Sequence, residues 1–311
     1  MADSQSWNVN DVPDCSGRTV VITGANSGIG YEAARALARR HAKVILACRS
    51  LEKARAAASA ICAGDSLAVE VMELDLASLK SIRAFAQSFH LRNQRLDVLC
   101  NNAGVMAIPY SRTVDGFEMQ FGTNHLGHFA LTGLLLDALM ATPGSRVVTV
   151  SSGMHRVGSI RFDNLQWERG GYQKWLAYGR SKLANLLFAI ELQRRAERSG
   201  KVLISAACNP GYAATNLQAA GPKMEGSRLM QSFWAFSNRY FAESAATGAW
   251  PTLYAATSPE VRGGDYIAPI YLGTARKSPH RARPSSAARD PETAARLWEI
   301  SEQLTGVQYA I

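Results

Sequence analysis

The chain of 311 residues carries 34 Lys and Arg against 25 Asp and Glu, a formal charge of +9, and 47% of its residues are hydrophobic. That composition excludes a disordered or collagen-like chain and can fill a sizeable core, in one α/β domain with appendages. The positive charge suits an anionic partner, whether a phosphorylated cofactor, nucleic acid or an acidic membrane surface, and does not choose among them. The opening MADSQSWNVNDVPDCSGR has no apolar run, and the longest greasy segment, Phe129 to Met140, is interrupted by Asp137. No membrane span is expected, and a soluble, cytoplasmic protein is. The five cysteines, Cys15, Cys48, Cys62, Cys100 and Cys208, are odd in number and form no C-x-x-C pair, which fits a reduced compartment and small core residues.

In chain order, residues 1–17 read as a polar arm. RTVVITG (Arg18 to Gly24) predicts a strand ending in glycine, and Ile29, Ala33, Ala36 and Leu37 then recur at helical spacing. KVILAC predicts a second strand, Leu51 to Ile61 a helix, and LAVEVMELD a third strand. Leu79, Ile82, Phe85, Ala86 and Phe89 form the stripe of another helix. RLDVLCNNAG is a fourth strand running into a turn, SRVVTVSS a fifth, Trp175 to Ser199 a long helix, KVLISAACNPG a sixth strand and DYIAPI a seventh. This alternation predicts a Rossmann-type doubly wound α/β fold: a mostly parallel seven-stranded sheet with helices on both faces, in a single domain over 18–273. Ligands are expected at the carboxyl ends of the strands. Residues 274–311 read as a basic, Pro/Ser-rich segment and a short helix around Ala294 to Leu304. The basic stretch lacks interleaved aromatics, so a solvated surface loop is expected rather than a nucleic-acid or membrane contact.

TGANSGIG, Thr23 to Gly30, sits between the first strand and the first helix. A pyrophosphate binds well at a helix N-terminus, where unpaired N–H groups point at it and glycine lets the backbone approach. Gly24, Gly28 and Gly30 fit that need, with Thr23, Asn26, Ser27 and Ile29 in the same turn. The spacing differs from G-x-G-x-x-G, and the alternative is a glycine-rich turn with no ligand. At the end of the second strand, Cys48 stands where an NAD enzyme would place a carboxylate, with Arg49 beside it. A guanidinium there attracts a 2′-phosphate, so NADP(H) is expected over NAD, with Lys53 as a helper. The alternative is an Arg49 that only meets water at the sheet edge.

TGANSGIG, NNAG (Asn101 to Gly104), SS (Ser151 and Ser152), YGRSK (Tyr178 to Lys182) and PG (Pro210 and Gly211) together resemble the short-chain dehydrogenase/reductase family, over about Gly17 to Ile270. CRS, NHLGHF and SKLAN make the chain most similar to the retinol-dehydrogenase-like branch, which includes the oxidoreductase part of WW-domain oxidoreductases. Neither WW domains nor a membrane anchor are expected here. The resemblance implies that Asp75, with Leu76 beside it, would hold the adenine end. Asn101, Ala103 and Gly104 would line the adenosine and ribose side, while Pro210, Gly211 and Thr215 would meet the nicotinamide. It implies Ser152, the second serine of its pair, as the donor to the substrate oxygen. It also implies Asn124 as the residue that opens a helix to hold a water beside the lysine.

Tyr178 and Lys182 are four residues apart, hence on one helix face. Carbonyl reduction needs a proton for the developing alkoxide, and the reverse reaction needs it removed. Free tyrosine, with a pKa of about 10, holds its proton too tightly to be a base near neutrality. A neighbouring ammonium is expected to lower it. Tyr178 and Lys182 would also touch the cofactor, and Ser152 and Tyr178 the substrate. His125 and His128 flank Asn124 without a third metal ligand at suitable spacing, so they read as packing or hydrogen-bonding histidines and no metal is expected. His155, Phe162, Trp167, Tyr172 and Trp175 precede or open the catalytic helix, and Met224, Met230, Phe233, Trp234, Phe236, Tyr240 and Phe241 follow Gly211. Those aromatics fit a small to medium lipophilic carbonyl or alcohol, or else core packing or a subunit contact. The expectation is an NADP(H)-dependent oxidoreductase, monomer or homodimer, with a small-molecule substrate and no nucleic-acid partner. The alternative is a catalytically idle cofactor-sensing or scaffold protein on the same fold, which would need only the phosphate turn.

Overall fold

Every residue of β1 (Thr19–Thr23) is buried, as a central strand covered on both faces must be. The computed structural model describes residues 7–211, 245–269 and 278–311. Around β1 stand β2 (Lys43–Cys48), β3 (Val69–Glu73), β4 (Val98–Asn101), β5 (Arg146–Val150), β6 (Ile204–Cys208), β7 (Tyr266–Pro269) and β8 (Pro279–Ala282). They form one sheet in the order β3-β2-β1-β4-β5-β6-β7-β8. The first seven strands run parallel, and β8 pairs antiparallel with β7, Tyr266 opposite Ala282 and Pro269 opposite Pro279.

The sheet therefore has an eighth strand, and it lies in the basic segment expected to be a solvated loop. PHRA has no alternating apolar pattern to announce a strand; its main chain pairs with the edge of β7, and only Pro279 of the four is buried. Proline is tolerated at such an edge because no ladder N–H is required of it.

The helices are α1 (Gly28–Ala38), α2 (Leu51–Ile61), α3 (Leu79–Arg92), a single turn α4 (Met119–Phe121), α5 (Gly127–Leu134), α6 (Leu136–Met140), α7 (Lys174–Arg198), α8 (Ala245–Gly248), α9 (Trp250–Thr257) and α10 (Pro291–Thr305). Strand residues alternate between two layers, as the period of two dictates. Val20, Ile22, Val44 and Leu46 pack with Ala33, Leu37, Ala54, Ile61 and Leu253. Val21, Ile45 and Ala47 pack on the other face with Phe85, Phe89, Phe129, Phe188 and Trp298.

Both ends of the chain join this core. Trp7 meets Trp250 and Tyr254 edge-on, and Val12 and Cys15 are buried, so residues 7–17 are more than a polar arm. Asp290 caps α10 at its start and Gly306, in the left-handed region, ends it. Between those caps Trp298 packs among Phe129, Phe188 and Tyr309. No helix among the described residues is long and apolar enough to cross a membrane. The strand order reverses between β1 and β4, which opens a crevice at their carboxyl ends.

Candidate active site

The turn after β1 leads straight into α1. Gly24 and Gly28 take φ of +66° and +59°, a left-handed conformation that glycine adopts without strain. Ser27 is the N-cap of α1, yet its side chain makes no capping bond, so the first helical N–H groups are left for an anion. Asn26, Ser27 and Ile29 are half-buried around this turn. A Cβ on Gly30 would lie 2.5 Å from Asn102 Nδ2, so the turn packs directly on the loop after β4.

Thr23 Oγ1 accepts the N–H groups of Asn102 and Ala103, both at 2.9 Å. The buried imidazole of His128 completes the joint, its Nδ1 2.9 Å from the Asn124 carbonyl and its Nε2 2.9 Å from Thr23 Oγ1. A carbonyl only accepts, so Nδ1 carries the proton and Nε2 receives the Thr23 hydroxyl. Burial, which pushes His128 down to about 4, keeps the ring neutral for this role. His125 Nε2 likewise meets Ser301 Oγ of α10 at 2.9 Å, so both histidines serve packing and hydrogen bonding.

At the end of β2 Cys48 is buried, and burial raises its thiol to about 11, with the N–H groups of Ala25, Asn26 and Gly24 pulling the other way. Arg49 is exposed there, and no carboxylate among the described residues engages it. Asp75, after β3, is half-buried; its carboxylate accepts Ala77 N at 2.9 Å, and Leu76 is buried beside it. Asn101 is turned inward: its carboxamide donates to Thr132 Oγ1 at 3.0 Å and is buried. Strand alternation sends the next side chain the other way, so Asn102 lies against the phosphate turn, where its Nδ2 donates to the Thr23 carbonyl at 2.8 Å. Ala103 and Gly104 stay half-buried at the open side.

The two serines after β5 part company. Ser151 is buried and donates to the Lys182 carbonyl at 2.8 Å, which commits it to α7. Ser152 is half-buried and close enough to the Tyr178 hydroxyl to pull its pKa down. Lys182 Nζ lies 5.7 Å from the Tyr178 ring centroid and donates to the Val150 carbonyl at 3.1 Å. Asn124 is locked from three sides: Oδ1 accepts Val105 N at 2.8 Å, and Nδ2 donates to the Val105 carbonyl and to Ser181 Oγ, each at 2.9 Å. It sits in a wide π-helical turn, Gly122–Leu126, inserted between α4 and α5. Such turns are rare and concentrate at functional sites.

The electrostatics correct one expectation. Burial pushes Tyr178 up to about 12, with Ser152 pulling the other way, and pushes Lys182 down to about 8. Desolvation is the larger of the two causes at Tyr178, so the tyrosine is held protonated.

A second polar cluster, which the sequence reading missed, ties the segment between Ser152 and α7 to the core. The Arg180 guanidinium, almost fully buried, donates to the carbonyls of Ser159, Asn164 and Leu165 and stacks 4.4 Å from the Trp167 ring centroid. Gln120 Nε2 donates to Tyr172 Oη and the Lys174 carbonyl, while its Oε1 accepts Ala107 N. The buried Glu118 carboxylate caps the short helix at Gln120 N and Phe121 N. The available signal was an arginine on a helix that buries every residue from Ala177 to Ala189. Trp167 and Tyr172 thus pack on this cluster, and Phe162 lies under Arg296 of α10.

Pro210 and Gly211 are half-buried after β6, and Gly211 takes φ of +75°. Thr215 and the aromatic stretch from Met224 to Phe241 lie outside the described residues.

The family model for short-chain dehydrogenases matches residues 18–226. The chain is 44% identical over 298 residues to retinol dehydrogenase 13 of Homo sapiens, an alignment that spans 94% of this chain and 86% of that protein. It is 43% identical over 296 residues to retinol dehydrogenase 12 of Mus musculus, spanning 94% and 88%. Among solved structures, an uncharacterized protein of Mycobacterium paratuberculosis superposes with a TM-score of 0.81 at 46% identity, over 98% of this chain and 100% of that one. A short-chain dehydrogenase of Shigella flexneri complexed with NADP superposes at 0.62 with 25% identity, over 81% and 97%. With the glycine turn, the serine, the tyrosine and the lysine gathered at one end of a doubly wound sheet, the chain belongs to the short-chain dehydrogenase family of oxidoreductases and is retinol-dehydrogenase-like within it.

Proposed function

We propose that the protein is an NADP(H)-dependent oxidoreductase that interconverts a carbonyl and an alcohol, on a lipophilic substrate of small to medium size, in the cytoplasm. The observation that carries this is the buried Tyr178 hydroxyl beside Ser152, with the Lys182 ammonium against the same ring. The uncapped start of α1 behind two left-handed glycines fits a pyrophosphate, and the exposed Arg49, with Cys48 in place of an acid, fits a 2′-phosphate. Likeness to an NADP-bound relative supports that cofactor, and likeness to enzymes named for retinol supports a lipophilic substrate. Free cysteines throughout the described chain suit a reduced compartment.

NADPH, when bound, supplies the hydride for the carbonyl carbon. Gly24, Asn26, Ser27, Gly28, Ile29, Gly30 and Arg49 would hold its phosphates, and the buried Thr23 would brace that turn from behind. Asp75, Leu76, Ala103, Gly104, Pro210, Gly211 and Thr215 would line its remaining length, whereas the inward-turned Asn101 would support the strand end behind them. Ser152 donates to the substrate oxygen and polarises it. Tyr178, protonated at neutral pH because burial holds it near 12, passes its proton to the oxygen as negative charge develops there. The charge then left on the phenolate is favoured by Lys182, and Asn124, fixed between Val105 and Ser181, keeps the turn beside that lysine in place. In the oxidation direction Tyr178, as the phenolate that Lys182 favours, takes the proton from the alcohol while Ser152 keeps its hydrogen bond to the oxygen.

The test is a screen of NADPH oxidation and NADP reduction over retinoids, steroids, quinones and aliphatic carbonyls, run alongside Tyr178→Phe. The variant should bind NADPH as before and lose turnover; undiminished turnover refutes the assignment. Arg49→Asp should move the preference toward NADH, and an unchanged cofactor ratio removes Arg49 from the phosphate site.

A further inference from the structure

Directly after Ser152 the chain makes one 3-10 turn, Gly153–Arg156, started by the Ser152 hydroxyl oxygen, which accepts Met154 N at 3.3 Å. His155 is buried in that turn, with Nδ1 2.7 Å from the Ser152 carbonyl oxygen. Because the carbonyl only accepts, Nδ1 holds the proton, and in the neutral ring Nε2 is a bare acceptor. Ser285 N donates to that nitrogen at 3.3 Å, and Tyr266 presses edge-on against the ring at 5.5 Å. Arg156, next in the turn, donates to the Arg283 carbonyl at 3.2 Å, so the turn is tied twice to the segment after β8. Both imidazole nitrogens are therefore spoken for within the protein, and the ring has no free nitrogen to offer a substrate.

We propose that His155 is a positioning residue for Ser152. It holds the Ser152 peptide through Nδ1–H, the N–H of Ser285 fixes the required tautomer from the other side, and the C-terminal segment thereby sets where the serine hydroxyl points. This rests on the reading of Ser152 as the group that polarises the substrate oxygen. Second contacts of this kind commonly orient the group that touches substrate.

Two polar replacements separate the two ends of the ring. His155→Asn carries an amide where Nδ1 lies and keeps the donor to Ser152; His155→Gln reaches toward Ser285 and loses it. Each is made in the wild-type and in the Ser152→Ala background, with kcat, NADPH affinity and melting temperature measured. His155→Gln should lower kcat about ten- to a hundredfold, the size expected of a misplaced reacting group, with NADPH affinity unchanged. His155→Asn should stay within a few-fold of wild type, and in the Ser152→Ala background neither replacement should lower kcat further, as coupled residues require. Full kcat in His155→Gln overturns the inference, as does an equal loss in both backgrounds, or an Asn variant no better than Gln. If Ser152→Ala alone keeps its turnover, the reading of Ser152 falls as well, and that single variant distinguishes the two failures.

Discussion

Replacing Gly104 by alanine tests how tightly the Asn124 turn is built. A Cβ there would lie 2.9 Å from Asn124 Oδ1 and 3.6 Å from Lys182 Nζ. Carbon and oxygen normally meet no closer than about 3.3 Å, so the carboxamide or the loop must yield by about 0.4 Å. The carboxamide has nowhere to go, since Val105 N, the Val105 carbonyl and Ser181 Oγ all hold it within 2.9 Å. Weakening one of those buried bonds, or overpacking around them, costs about 1–3 kcal/mol, a loss that a thermal melt resolves. If a displacement of about 1 Å costs a hundredfold in rate, one of about 0.4 Å costs about sixfold, and kcat should fall by that order. Gly153→Ala is the control: it adjoins Ser152, but its Cβ would meet nothing within 4 Å, so its stability should stay within about 0.5 kcal/mol. Equal melting temperature and kcat in Gly104→Ala and wild type would refute the idea of a rigid Asn124 turn.

Burial holds Lys182 near 8, below the ordinary lysine value, so its ammonium is lost as pH rises through that range and kcat/KM for reduction should fall with it. Lys182→Arg should move that alkaline limb upward, and a limb that stays in place excludes Lys182 as its source. Because the folded protein releases this proton before the unfolded chain does, the same group adds to stability as pH rises from about 8 to 10.5, which urea titrations across that interval measure. Trp298→Ala should cost about 3–5 kcal/mol by chemical denaturation, since the ring is buried among Phe129, Phe188 and Tyr309; a loss under about 1 kcal/mol would mean that α10 is dispensable packing. Arg180→Met should cost at least about 3 kcal/mol, because it strands the carbonyls of Ser159, Asn164 and Leu165 and the nearby Glu118, and, if that segment lines the substrate pocket, should raise KM more than it lowers kcat. Unchanged KM would separate that segment from substrate binding.

The sequence by itself determined the alternation of strands and helices, the glycine turn and the one-turn spacing of Tyr178 and Lys182, because each is a local pattern. Strand and helix periods are written in consecutive residues, and the bounds of β2 and α2 coincide with the expected ones. What tertiary structure decided lies where one segment completes another. The strand β8 exists because β7 offers a free edge, a fact absent from PHRA itself. The inward turn of Asn101, the hold of His128 on Thr23 and the hold of Ser285 on His155 join residues up to 130 positions apart. The protonation of the central pair belongs to the same class. Helical spacing fixes that Tyr178 and Lys182 share a face, but their charge depends on the water the rest of the chain removes. Desolvation by distant segments therefore raises the tyrosine and lowers the lysine, where the spacing of the two residues suggested only their mutual attraction.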